Sequence, residues 1–92
     1  MNQPTKDIYK FKLETKETEQ RYMWPHVSRI LDLQLRDGVP VIWAEVYPKT
    51  ILRPYKLMRF LTGDTIYGIV VYLGTVQLPT GDVLHYYTGG PV

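Results

Sequence analysis

No cysteine occurs in the 92 residues, so disulfides, thiolate metal sites and cysteine nucleophiles are excluded. Serine is almost as scarce. Ser28 stands alone in Val27-Ser28-Arg29, which is not a nucleophile elbow. The two histidines, His26 and His85, have no His or Cys neighbour at ligand spacing, so no metal site is expected. No glycine-rich loop opens a helix to cradle a phosphate, and no other cofactor signature is present. No apolar run approaches the ~18–20 residues of a membrane span. The stretch from Met1 to Gln20 is polar and contains no signal-peptide apolar region, so the expected location is the cytosol. Neither sign of charge dominates: eleven basic residues face nine acidic ones, for a net charge of +2. That balance is too even for a duplex nucleic-acid face, yet it leaves room for a single anion held by a few Arg and Lys.

Aromatic residues, by contrast, are plentiful. Eight Tyr and two Trp provide large apolar faces with polar tips, suited to cores, interfaces and ligand pockets. Such a composition argues for one globular domain over residues 1–92, with 1–7 and 88–92 as flexible ends. A domain this short buries a small core and gains from oligomerisation, so a homo-oligomer is expected.

The local pattern is that of strands. Tyr9, Phe11 and Leu13 alternate with Lys10 and Lys12, as in a half-buried strand. Glu14 to Gln20 reads as a long turn or one helical turn, and Arg21-Tyr22-Met23-Trp24 before Pro25 as a short edge strand. Lys49 to Pro54 reads as a loop, Tyr55 to Leu61 as a strand, Ile69 to Leu78 as a longer strand, and Val83 to Tyr87 as a closing one. Gly74 inside the longer strand predicts a bulge or a close backbone approach. Thr88-Gly89-Gly90-Pro91 reads as a tail. About six or seven short strands without a three-turn amphipathic helix predict an all-β fold, or a β-rich α+β one. The expected architecture is a small antiparallel sandwich or partly open barrel.

The strongest local signal is a hairpin. Asp37-Gly38 joins Ile30–Leu35 to Val41–Tyr47, and Asp-Gly is a preferred pair for a two-residue turn. If Arg36 faces Val39, Asp32 faces Trp43 and Glu45 faces Ile30. Leu31, Leu33 and Leu35 then share an apolar face with Pro40, Ile42, Ala44 and Val46, while Trp43 and Tyr47 lie on a mixed face with polar residues. Large aromatics on a polar face mark either a second packing layer or a binding surface.

Lys49, Arg53, Lys56 and Arg59 interleave with Tyr47, Tyr55 and Phe60. Arg forks hold phosphates and aromatics stack on bases, so this stretch suits a nucleotide-like anion; the alternative is an ordinary solvated charge pattern.

Several motifs recur in a known order: Ile8-Tyr9-Lys10-Phe11, Ile30-Leu31-Asp32-Leu33-Gln34, Ile42-Trp43-Ala44-Glu45-Val46-Tyr47-Pro48, Arg59-Phe60-Leu61-Thr62-Gly63 and Tyr72-Leu73-Gly74-Thr75-Val76-Gln77-Leu78. In these the chain resembles a family of short phage and prophage proteins of unknown function. It departs from them in Thr15 to Gln20, in Lys49 to Pro54 and in the Gly-Gly tail. The resemblance supplies no catalytic residues. It implies a context in which small phage proteins interfere with host defence, some of them as oligomeric β-rich sponges for cyclic-nucleotide or ADP-ribose-derived signals, within the host cytosol.

The expected function is therefore non-enzymatic sequestration of such a signal. Arg53, Lys56 and Arg59 would hold phosphates, Trp43, Tyr47 or Tyr55 would stack on a base, and Thr62 and Gly63 would add polar contacts. The rival readings are a protein-binding inhibitor of a host defence protein or a small structural phage protein, and, ranked last, a hydrolase using Glu45, Asp32 or His85.

Overall fold

Alternation and turn chemistry translate into seven strands in the computed structural model, which describes residues 4–89. They are β1 (Asp7–Lys12), β2 (Glu19–Trp24), β3 (His26–Arg36), β4 (Val39–Tyr47), β5 (Arg53–Leu61), β6 (Val71–Gln77) and β7 (Val83–Thr88). One sheet has the order β1-β4-β3 and the other β2-β5-β7-β6, and every pairing is antiparallel. The all-β expectation holds. The α+β alternative does not, because the described residues contain no helix and the charged turn before β2 stays irregular. The two sheets face each other as a sandwich and do not close into a barrel.

Asp37 (φ 51°) and Gly38 (φ 77°) both take the left-handed conformation that a two-residue hairpin turn requires. The register from Arg36↔Val39 through Asp32↔Trp43 is the one the turn dictates. Beyond it two bulges intervene, at Leu31 and at Ser28. Each bulge shifts the alternation by one residue. Leu35, Leu33, Ile30 and Val27 consequently face Pro40, Ile42, Ala44 and Val46. Two expectations are corrected here. Ile30 replaces Leu31 in the core, and Glu45 faces Arg29 rather than Ile30. Unbroken alternation would have placed Arg29 on the apolar side, and the bulges avoid that burial.

Pro25 alone separates β2 from β3, and there the chain crosses from one sheet to the other. Proline has no N–H to continue a ladder, so the break falls there at little cost. The sheets come close where Leu33 covers Gly74. A Cβ on Gly74 would lie 3.0 Å from the Leu33 Cδ2 atom, and a bulge sits between Tyr72 and Gly74. Both readings of Gly74 are thus realised together. The ladders extend to both ends of the described chain: Asp7 pairs with Val46, Thr88 pairs with Leu57 and Val71, and the Gly89 N–H donates to the Lys56 carbonyl at 2.8 Å. Ladder bonds hold these residues, while 1–3 and 90–92 lie outside the described residues, with Gly90 and Pro91 of the expected tail among them. Arg53 and Pro54, read as loop, begin β5, and β6 begins at Val71 rather than Ile69.

Leu13, Trp24, Ile42, Leu57, Val76, Leu84 and Tyr86 form the buried core between the sheets. Its polar members are satisfied: the Tyr86 hydroxyl donates to the Glu14 carbonyl, and the Tyr22 hydroxyl donates to Gln20 Oε1 at 2.6 Å. Desolvation raises the pKa of Tyr86 well above its usual value of 10.0, and it also raises those of Tyr22 and Tyr55. In the unfolded chain these phenols lose their protons near pH 10, whereas the folded chain retains them. The unfolded state therefore binds fewer protons above that pH, and stability falls as pH rises further. Urea unfolding at stepped pH is expected to show a loss of stability from these phenols that sets in near pH 10. Above that, the loss is about 1.4 kcal/mol per pH unit for each retained proton. Tyr86→Phe is expected to shallow that slope; an unchanged slope would dissociate it from Tyr86.

Candidate ligand-binding cleft

Because Pro25 carries the chain between sheets, the residues on either side of it line the gap between them. A cleft of about 910 Å³ opens there. Trp24, Pro25, His26 and Val27 form one side. Arg53, Pro54 and Tyr55 at the start of β5 form another, and Ile51, Val71 and Thr88 complete it. The floor is aromatic. Trp24 stacks on Phe11 at 4.0 Å, on Tyr22 at 4.8 Å and on Tyr55 at 5.0 Å between ring centroids. The Arg53 side chain stands exposed at the rim.

A smaller cavity of about 400 Å³ is lined by Pro4, Thr5, Tyr47, Pro48, Lys49 and Thr50. The loop between β4 and β5 is pinned. The Thr50 hydroxyl donates to the Tyr47 carbonyl at 2.6 Å and accepts the His26 N–H at 2.8 Å, while the His26 ring stacks on Tyr47 at 5.5 Å. Lys6 lies 5.9 Å from the Tyr47 ring centroid.

Of the residues singled out from the sequence, Arg53 and Tyr55 line the cleft and Tyr47 lines the smaller cavity. The others are elsewhere. Trp43 lies on the outer face of the three-stranded sheet, with Arg36 6.0 Å from its ring centroid. Lys56 points to the outer face of the four-stranded sheet and pairs with Glu19 at 3.1 Å. Arg59 is 7% exposed and donates to the carbonyls of Lys16 and Glu17 and to the Thr18 hydroxyl, each at 3.2 Å, so it is closed to a phosphate. Thr62 and Gly63 sit at the far end of β5, where Thr62 meets His85 Nε2 at 2.9 Å and Gly63 makes a turn at φ 98°. Two geometric facts scatter the set. Strand alternation sends Lys56 to the opposite face from Arg53, and six residues of strand put Arg59 about 20 Å from Arg53. Trp24 and His26 are cleft residues that the sequence reading did not select. The signal was their position flanking Pro25, read only as the mark of an edge strand.

The acid–base candidates are also dispersed. Glu45 pairs with Lys6 at 3.4 Å and with Arg29 at 3.8 Å, and Asp32 accepts from Gln34 at 2.7 Å. His85 lies on the other sheet, between the hydroxyls of Thr62 and Thr75. Among the described residues no group of three or more His, Cys, Asp or Glu converges as a metal ion would require.

A model of the family described as Domain of unknown function (DUF7352) matches residues 4–91. The chain belongs to this family. The DUF7352 match spans all seven strands and every residue of the cleft. No curated protein and no solved structure matches the chain.

Proposed function

We propose that this chain is a non-catalytic binding protein that takes a small anionic ligand with a flat body, of nucleotide type, into the cleft beneath Arg53. The meeting of Tyr55 and Arg53 around one concavity, over a Trp24 ring already covered by its aromatic neighbours, carries this reading. Aromatic faces stack on a base of any sequence, and a guanidinium fork grips phosphate oxygens in pairs. The cleft volume lies within the range of small-molecule sites. His26, on the wall of the same cleft, adds a polar group. The resemblance to phage proteins gives the reading a setting. A chain of this kind would remove a nucleotide-derived immune signal from the host cytosol by holding it.

Calorimetry against mononucleotides, cyclic dinucleotides and ADP-ribose derivatives tests the proposal. One class is expected to bind. Arg53→Ala is expected to weaken it about ten- to hundredfold, the worth of a charge-assisted hydrogen bond. Ligand released by denaturing the complex is expected to be chemically intact; conversion to product would make the chain an enzyme. Absence of heat with every member, or an Arg53→Ala variant of full affinity, would remove the reading.

A protein-binding inhibitor or small structural phage protein is the second reading. It is favoured by Ile51 and Leu52, which project from the β4–β5 loop at 77% and 53% exposure. A partner from host lysate that Ile51→Asp releases and Arg53→Ala retains would favour it.

A further inference from the structure

Four strands end the two sheets: β1 and β3 in one, β2 and β6 in the other. An outer strand offers unpaired N–H and C=O groups, and proteins usually guard it with charged side chains. Three of the four are guarded. β1 carries Asp7, Lys10 and Lys12; β2 carries Glu19 and Arg21; β3 carries Arg29, Asp32 and Arg36. β6 carries no charge at all, and no charged residue occurs anywhere from Thr65 to Gly81. Asp64 and Asp82 stand just outside that run.

The same region is unusually apolar at its surface. Leu61, Ile66, Tyr67, Ile69, Val71 and Tyr72 are six of the eleven exposed large hydrophobics among the described residues. Tyr67 folds back edge-on against Phe60 at 5.6 Å, which anchors the segment leading into β6 against its own sheet. Ile69 is left 91% exposed and Val71 65%. Residues 61–72 are twelve of 92, and all but Val70 are exposed. They therefore hold more than about a tenth of the surface, which is the share a standard dimer interface takes.

We infer that two copies of this chain pair edge to edge through the N-terminal half of β6 and the segment leading into it, about a two-fold axis near Val71. A second copy fits this edge better than a foreign strand for two reasons. An antiparallel pair of identical strands is self-complementary under a two-fold axis. An uncharged edge meets no like-charge repulsion from its own copy and offers no sign for a charged foreign edge to match. The bulge between Tyr72 and Gly74 interrupts the edge, and β3 lies alongside β6 with Leu33 against Gly74, so pairing is confined to Val71, Tyr72 and the segment leading into them. Val71 also lines the cleft, so the partner copy closes the mouth of each cleft. The pairing itself does not depend on what the cleft holds.

Light scattering on the eluting protein across the micromolar range is expected to give twice the 10.8 kDa chain mass. Ile69→Asp and Val71→Lys alter exposed side chains and are each expected to give the single-chain mass with an unchanged thermal melt. Ile8→Lys, on the exposed edge of β1, is expected to leave the dimer intact. A wild-type chain at the single-chain mass throughout would overturn the inference, as would a dimer or larger species that survives both β6 substitutions. A dimer that binds no nucleotide would leave this inference standing and remove the proposed function.

Discussion

Trp24→Ala is expected to lower the free energy of unfolding by about 3–5 kcal/mol, the usual cost of removing a buried Trp from a core. Small domains have roughly 5–15 kcal/mol in all, so this variant is expected to lose a large fraction of its stability. The reason lies in the position of the ring. It is 6% exposed and stacks on Phe11 from β1, Tyr22 from β2 and Tyr55 from β5. Phe11 belongs to the three-stranded sheet and the other two to the four-stranded one, so the indole ties the sheets together at the seam between β1 and β2. Urea unfolding followed by circular dichroism measures the loss. Trp43→Ala, on the outer face, is expected to cost about 1 kcal/mol or less. A Trp24→Ala variant as stable as Trp43→Ala would show that the stack does not hold the sheets.

The hairpin shows what a sequence makes legible. Asp37-Gly38 needs positive φ at both residues, and that local demand set the register of the five pairs nearest the turn. The bulges at Leu31 and Ser28 are not local. They depend on keeping Ile30 and Val27 opposite Ala44 and Val46. One visible conflict pointed to them: unbroken alternation would have put Arg29 on the leucine face. The outer face of the four-stranded sheet was similarly hidden. Met58 and Phe60 lie on it and are 1% and 2% exposed, and Phe60 is edge-packed by Tyr67 and Tyr87. No period-2 pattern on β5 alone announces that a neighbouring loop will cover its outward side.

The candidate site was legible only in part, for a related reason. A basic and aromatic run on one strand is dispersed by the strand itself, since adjacent residues face opposite ways. Arg53 and Tyr55 stay together because they are two apart, and Lys56 parts from them because it is an odd number away. The other half of the cleft comes from Trp24, Pro25 and His26, far away in the chain and brought near by a crossover between sheets. Nothing in the spacing of residues 49–59 encodes that encounter.

Arg59→Met is expected to cost about 2–3 kcal/mol of stability and to leave ligand affinity unchanged. Its guanidinium is a bracket for the turn before β2. It donates to Lys16, Glu17 and Thr18, while its own backbone N–H donates to the Thr18 carbonyl at 2.8 Å. Gln20 Nε2 grips the same turn through the carbonyls of Glu14 and Glu17 at 2.9 and 2.8 Å, and the Tyr86 hydroxyl holds Glu14 as well. Methionine fills much of the stem volume but supplies no donor, so the Lys16 carbonyl and the Thr18 hydroxyl lose the guanidinium and the Glu17 carbonyl keeps only Gln20, at about 1.5–3 kcal/mol for hydrogen bonds to a charged group. Arg53→Ala is expected to behave in the opposite way, with stability within about 0.5 kcal/mol of wild type because its side chain is exposed, and binding sharply reduced. Urea midpoints and calorimetric affinities on the two variants separate a bracket from a ligand contact. If Arg59→Met loses affinity at wild-type stability, the buried arginine is a phosphate ligand and the cleft at Arg53 is not the whole site.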